Sequence, residues 1–302
     1  MKEKDFLNSI FPLLKQGEDI IVGPGDDCAV IDIGDSQNYF LLAVDQLISN
    51  VHYDHETTEP EKAGAKLLKR NISDIASMGG TPSHALITLA MGDQDNDWLL
   101  RFYEGLTQEA NKWGISICGG DIAKIPGQSF FISTLSITGK VNKNKLCLRK
   151  NLCIGESIYI TGSLGDSYNT EHHLNFIPNV KEAEFLAGRY SNAMMDISDG
   201  LLLDLQRMAE ASNLTIKISL NDLPARSNNL TLDNLLTDGE DYGLIFSVKP
   251  SFEKELLEKW PFKEVKISKI GQVIPLGDYP VIDEEKTIIN LYSKSGWDHF
   301  EK

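Results

Sequence analysis

Residues 69–91, KRNISDIASMGGTPSHALITLAM, combine the end of a predicted helix with a predicted strand. Apolar residues recur three or four positions apart over residues 61–78, which is typical of an amphipathic helix. Gly79 and Gly80 end this helix, and Pro82 prevents it from resuming. The short apolar run at 85–91 predicts a buried strand. Helices that alternate with buried strands indicate an α/β or α+β fold.

The same alternation continues on both sides of this stretch. Further strands are predicted at 39–44, 115–118, 130–138, 157–161, 193–197, 214–220, 244–248, 265–273 and 286–291, and further helices at 1–15, 98–113 and 199–211. The segment 139–151, GKVNKNKLCLRKN, is locally basic and has little periodicity, so we place a domain boundary there. We therefore predict an N-terminal domain with a mixed sheet at 1–140 and a C-terminal α/β domain at 141–302.

Composition excludes several classes of protein. The chain has 302 residues and a net charge of −15, from 29 Lys and Arg against 44 Asp and Glu, and this surface disfavours a nucleic-acid partner. No apolar run approaches the ~20 residues of a membrane span, so no membrane partner is expected. The four cysteines form no CxxC pair, which favours a reduced, cytoplasmic protein.

Aspartates cluster where predicted strands end or glycine-rich turns begin. They occur in GDD (25–27), VDQ (44–46), GGD (119–121), DISDG (196–200) and DGED (238–241), and Asp74 lies inside the predicted helix. Asp beside Gly is common in ordinary turns, and Asp199 could simply cap a helix. Asp74, however, opposes helix propensity, and several such motifs in one chain favour a shared site.

Clustered carboxylates without His or Cys groups indicate a hard cation, and Mg²⁺ is the natural candidate. Divalent ions would also let so acidic a protein bind an anionic substrate. Gly23, Gly25, Gly119 and Gly120 permit backbone amides to approach phosphates closely. The chain has no GxxxxGK[ST] segment, no dinucleotide-binding fingerprint and no protein-kinase motif set.

These motifs, in this order, resemble the thiamine-monophosphate kinase family. The matching segments are GPGDDCAV (23–30), VDQLISNVHYD (44–54), KRNISDIASMGGTPSHALITLAM (69–91), ICGGDIAK (117–124), MMDISDGLLLDLQRMA (194–209), DGEDYGLIF (238–246) and GWDHF (296–300). The resemblance implies ATP- and Mg²⁺-dependent phosphorylation of thiamine monophosphate to thiamine diphosphate. It also implies an N-terminal domain that forms a homodimer through its sheet, with nucleotide bound in a cleft between the two domains.

The resemblance assigns roles to individual positions. The implied metal ligands are Asp27, Asp45, Asp74, Asp121, Asp196 and Asp199. The implied ATP-binding residues are Tyr103, Gly120, Asp121, Arg149 and Ser198. The implied contacts to the thiamine portion are His52, Glu240 and Trp297. No residue is expected to act as a general base, because the acceptor phosphate, with a second pKa of ~6, is already largely anionic at neutral pH.

Two motifs depart from the family pattern, VDQ (44–46) where the family has TDT and DGED (238–241) where it has GGED. Val44 replaces a threonine, which puts the occupancy of one ion in question, and Asp238 replaces a glycine in the substrate loop. Two alternatives therefore stay open. The chain could be another enzyme of the same superfamily with a different acceptor, or a non-catalytic relative that binds nucleotide or cations.

Overall fold

The computed structural model describes residues 3–294, 296 and 297, and these form two six-stranded sheets with helices. The N-terminal sheet contains β1 (Ile20–Val22), β2 (Ala29–Ile31), β3 (Asn38–Ile48), β4 (Thr81–Met91), β5 (Ser116–Lys124) and β6 (Phe131–Asn142). Its strand order is β1-β2-β3-β6-β4-β5, and only β4 and β5 pair in parallel. The helices of this half are α1 (Glu3–Ile10), α2 (Pro60–Ser77) and α3 (Asn96–Trp113).

The second sheet lies in the C-terminal half. Its strands are β7 (Ser157–Thr161), β8 (Met194–Asp196), β9 (Thr215–Ile218), β10 (Leu244–Val248), β11 (Ile267–Ile274) and β12 (Val281–Ile282), in the order β12-β9-β11-β7-β10-β8. The accompanying helices are α4 (His172–Asn175), α5 (Val180–Leu186), α6 (Leu201–Ser212), α7 (Leu232–Thr237) and α8 (Pro250–Lys259). The predicted mixed α/β architecture is confirmed. No helix in the described part of the chain is both long and apolar enough to cross a membrane.

Helix α2 is the central element, because it contacts both halves of the chain. It packs on β3, β4, β6 and α3, and it also contacts α4, α5 and β8. A side chain at Gly64 would place its Cβ 2.0 Å from the carbonyl oxygen of Phe102, so only glycine permits this close approach to α3. One continuous core joins Ile72 of α2 to Tyr159 and Leu244 of the second sheet. Polar side chains on α2 are therefore enclosed by protein on several sides.

Several predictions about strands differ from the structure. Asp45 and Asp121 lie inside β3 and β5 and not at strand ends. Strand β6 continues to Asn142, because the antiparallel register from Ile48↔Ile132 to Asn38↔Asn142 hydrogen-bonds polar residues as readily as apolar ones. The predicted strand at 286–291 is wrong, since Thr287–Lys294 is a 3-10 helix. Asp283 accepts hydrogen bonds from the Thr287 hydroxyl and the Ile288 amide there, which favours a turn over an extended strand.

Candidate active site

Five polar residues of α2 share one face of the helix: Lys66, Arg70, Ser73, Asp74 and Ser77. Their spacing of i, i+4, i+7, i+8 and i+11 aligns them in a row, which we call the α2 polar face. Four of the five each hold a carboxylate from another element of the chain. These pairs are Lys66 with Glu240, Arg70 with Asp45, Ser73 with Asp196, and Ser77 with Asp27.

At one end of the α2 polar face three carboxylates converge. One oxygen from each of Asp27, Asp74 and Asp196 lies within 4.8 Å of the others, and we call this group the carboxylate cluster. Ser73 Oγ donates to Asp196 Oδ2 at 2.6 Å, and Ser77 Oγ donates to Asp27 Oδ2 at 2.7 Å. Burial and mutual repulsion raise the pKa values of Asp74 and Asp196 well above their ordinary range. Such concentrated negative charge is suited to a hard divalent cation.

Arg149 borders the carboxylate cluster. Its guanidinium forms an ion pair with Asp27, and its Nε lies 3.7 Å from Asp26 Oδ1. Burial and the Asp27 charge raise the pKa of Asp26 to about 7. The Arg149 Nε is buried and has no hydrogen-bond partner among residues 3–294, 296 and 297. Arg149 therefore neutralises part of the cluster and keeps one donor available.

The segment that follows β8 is fixed by a buried acid. Asp204 Oδ2 accepts hydrogen bonds from the backbone amides of Ser198 and Asp199, at 3.1 and 3.2 Å. Arg207 Nη1 donates to Asp199 Oδ2 at 2.6 Å and to Asp204 Oδ1 at 2.8 Å. Helix α6 has Gly200 at its N-cap, so the interpretation of Asp199 as a helix cap is wrong. Ser198 and Asp199 are instead held at the cleft wall.

A cleft of about 630 Å³ adjoins the carboxylate cluster. The predicted site residues that line it are Asp45, His52, Asp74, Asp196, Ser198, Asp199, Glu240 and Trp297. These residues come from both halves of the chain. Asp27 and Arg149 lie behind the cleft wall, where Asp27 completes the carboxylate cluster.

The other end of the α2 polar face holds two of the three predicted contacts to the thiamine portion, His52 and Glu240. Lys66 is fully buried; it donates to the backbone carbonyl of His52 and forms an ion pair with Glu240. Burial lowers the pKa of Lys66 to about 8, against the attraction of Glu240. The Trp297 amide donates to the Asp199 carbonyl at 2.9 Å, and 51% of this residue is exposed. The rest of the GWDHF motif, residues 298–300, lies outside the described residues.

Asp238, which replaces a glycine of the family pattern, also has a defined contact. Its Oδ2 accepts a hydrogen bond from the Asp166 amide at 3.0 Å. The neighbouring Asp241 accepts hydrogen bonds from the Gly165 amide and from Arg226. Burial raises the pKa of Asp241 to about 6. The loop that carries Glu240 is thus tied to the segment 165–166.

Four predicted nucleotide-site residues do not line the cleft: Arg149, which pairs with Asp27, and Tyr103, Gly120 and Asp121. Asp121 pairs with Thr88, which lies between the buried residues Ile87 and Leu89 of β4. Residues paired across neighbouring strands project to the same face of a sheet. Asp121 therefore lies on the exposed face, away from the core that contains α2.

Sequence reasoning missed Lys66 and Arg70 as site residues, although both lie beside motifs that it identified. The available signal was that Lys66 and Arg70 lie four positions apart, and so on the same helix face as Asp74. It also missed Asp204 and Arg207, whose i, i+3 spacing after DISDG was visible. The segment 166–169 lines the cleft but carries no motif that would have indicated a site.

Known protein families and relatives match most of this chain. Residues 25–141 match the family model for the AIR synthase related protein N-terminal domain, and residues 161–284 match the corresponding C-terminal domain. The chain is 31% identical to a thiamine-monophosphate kinase from Buchnera aphidicola, with 93% of each chain covered. It is 32% identical to a protein of the same name from Rhodopirellula baltica, with 90% of this chain and 89% of that protein covered.

A solved structure described as "AaThiL complexed with AMPPCP and TMP" has a similar fold. It superimposes with a TM-score of 0.83 at 25% sequence identity. The match covers 99% of this chain and 97% of that one. Both sheets and the cleft between them therefore lie within the shared architecture.

Proposed function

This chain belongs to the thiamine-monophosphate kinase family, and on that premise we propose that it transfers the γ-phosphoryl group of ATP to thiamine monophosphate. The products are thiamine diphosphate and ADP, and the enzyme is a phosphotransferase with a phosphate acceptor. One observation carries the proposal. The carboxylate cluster of Asp27, Asp74 and Asp196 adjoins a cleft that also holds the predicted thiamine contacts.

The donor set of the carboxylate cluster fits Mg²⁺. It offers oxygen atoms alone, whereas the soft metals prefer sulfur or imidazole. We propose that Asp27, Asp74 and Asp196 hold one ion and that Asp45 and Asp199, which line the same cleft, hold further ions. Bound Mg²⁺ would supply neutralisation of the phosphate charge and alignment of the reacting oxygens.

The chain's own groups have a simple role in the transfer. The bond between the γ-phosphorus and the β,γ-bridging oxygen breaks as a phosphate oxygen of thiamine monophosphate bonds to that phosphorus. Because the attacking oxygen is already anionic, no side chain has to remove a proton from it. The protein therefore acts by positioning and by charge compensation, without a phosphoenzyme intermediate. Arg149 pairs with Asp27 of the carboxylate cluster and Ser198 lines the cleft, and we propose that both contact the ATP phosphates.

Steady-state ATP consumption tests the function directly. We expect ADP release to depend on thiamine monophosphate, with thiamine diphosphate formed in equal amount and detected by chromatography. ADP release that depends on a different acceptor would favour another enzyme of the superfamily. Nucleotide binding without turnover on any acceptor would favour a non-catalytic relative.

We also propose that the enzyme is a homodimer that forms through the exposed face of the N-terminal sheet. On this outer sheet face Leu42, Val44 and Leu86 are 39%, 60% and 52% exposed. Strand β5 is a sheet edge, and unpaired edges and contiguous apolar surface both favour association. Asp121 lies on this face, so a second copy could bring its Tyr103, Gly120 and Asp121 towards the neighbouring cleft.

Sedimentation of the purified protein tests this assembly. We expect a species of about twice the 33.6 kDa chain mass. Leu86→Arg should yield monomer and lose most activity, because a charge would be buried in the interface. The matched control is Leu257→Arg on α8, since Leu257 is 55% exposed outside the outer sheet face. A fully active monomer would contradict the proposal.

We place the enzyme in the cytoplasm. All four cysteines are free thiols, two of them exposed. Free thiols persist in reducing compartments, whereas oxidising compartments favour disulfides. ATP is also available in the cytoplasm as co-substrate.

A further inference from the structure

Arg70 occupies the middle of the α2 polar face. Lys66 lies one turn before it and Asp74 one turn after it, which corresponds to about 6 Å along the helix axis in each direction. Lys66 holds Glu240, at the end predicted to contact the thiamine portion. Asp74 belongs to the carboxylate cluster, at the end predicted to hold metal and ATP phosphates. Arg70 thus lies between the two proposed ligand-binding ends.

The contacts of Arg70 leave one donor unused. Its Nε donates to Asp45 Oδ2 at 3.2 Å, and its side chain is only 12% exposed. Its Nη1 is buried and has no hydrogen-bond partner within the described part of the chain. Buried donors are nearly always paired in folded proteins, so the unpaired Nη1 shows that the protein alone does not satisfy this guanidinium.

The charge of the cleft also favours an anionic ligand at Arg70. The acidic residues that line it are Glu3, Asp45, Asp74, Asp166, Asp196, Asp199, Asp238 and Glu240. Arg70 is the sole lysine or arginine among the described residues of the lining. A phosphate that entered the cleft without a cation would be repelled, and a guanidinium binds phosphate oxygens with good geometry.

We propose that Arg70 binds the phosphate of thiamine monophosphate through its guanidinium group, an inference that rests on the proposed function. The phosphate would lie between the ring-binding end near Lys66 and the carboxylate cluster. That is where an acceptor must be placed to meet the γ-phosphoryl group. Arg70 would also make the cleft select the phosphorylated vitamin over thiamine, which lacks the phosphate.

The ratio of two affinities tests this assignment. Binding of thiamine monophosphate and of thiamine to the full-length protein is measured by calorimetry with Mg²⁺ present. Loss of a charge-assisted hydrogen bond in Arg70→Met should weaken thiamine monophosphate by about tenfold to a hundredfold. Thiamine should change by less than about threefold, because it has no phosphate to contact the guanidinium. Arg70→Lys should recover part of the difference, since it keeps the charge but loses the guanidinium geometry.

Trp297→Ala is the matched control for this ratio. If its exposed indole stacks on the thiamine rings, both ligands should weaken by the same factor of about five to thirty. The affinity ratio should stay near that of the unsubstituted protein in this variant.

The possible results distinguish the proposed function from the role of Arg70. An unsubstituted protein that neither binds nor phosphorylates thiamine monophosphate would overturn the proposed function and this inference together. If the unsubstituted protein turns over normally and Arg70→Met leaves the affinity ratio unchanged, the role of Arg70 alone would be overturned. A ratio that falls equally in Trp297→Ala would also overturn it. Circular dichroism and melting curves verify that each variant is folded.

Discussion

Asp74→Asn is expected to lower kcat by about three orders of magnitude while the protein stays folded. Asp74 is the helical member of the carboxylate cluster, and its pKa is raised by burial and by its acidic neighbours. Metal-assisted charge stabilisation contributes several kcal/mol, and about 4 kcal/mol corresponds to a thousandfold in rate. The amide keeps the size of the side chain and relieves repulsion with Asp45 and Asp196, so stability should be equal or higher.

Initial rates at saturating ATP and thiamine monophosphate measure this effect, and circular dichroism confirms the fold. Asp97→Asn is the matched control, because Asp97 is an exposed aspartate in the first turn of another helix, α3. That substitution should change kcat by less than about twofold. A folded Asp74→Asn variant with a rate near that of the unsubstituted enzyme would remove Asp74 from the proposed metal set.

Removal of divalent metal is expected to abolish activity altogether. The charged residues that line the cleft and form the carboxylate cluster are mainly acids, so ATP and thiamine monophosphate would meet like charges there. After treatment with EDTA and dialysis, the rate should fall to the uncatalysed background. Mg²⁺ or Mn²⁺ should restore it, because both bind oxygen-only donor sets.

Thermal melting supplies an independent readout of the same site. Mg²⁺ together with ATP should raise the melting temperature, because ligands that bind only the folded state stabilise it. EDTA should remove that increase, whereas EDTA alone should leave the fold intact. Full activity in metal-free buffer would contradict the proposed mechanism, and an unchanged melting curve at saturating Mg²⁺ and ATP would count against a nucleotide site.

The site could be predicted from sequence as a set of residue types but not as an arrangement. The aspartate motifs at 25–27, 196–200 and 238–241 were recognisable because short carboxylates beside glycines form a local pattern. Arg70 carried no comparable pattern, since a cation on a helix is usually solvated. Its role depends on burial between Asp45 and the core, which residues distant in the chain create.

Local pattern determined the fold class, the position of α2 and the family resemblance, because hydrophobic periodicity and turn residues act over a few neighbouring positions. Tertiary structure alone decided which carboxylates meet. Asp27 and Asp196 converge on Asp74 because α2 packs against both halves of the chain. Asp121 projects to the opposite face of the sheet because its register with Thr88 fixes its direction. Contacts between residues so far apart in sequence arise from packing and strand pairing, and those forces leave no local signature.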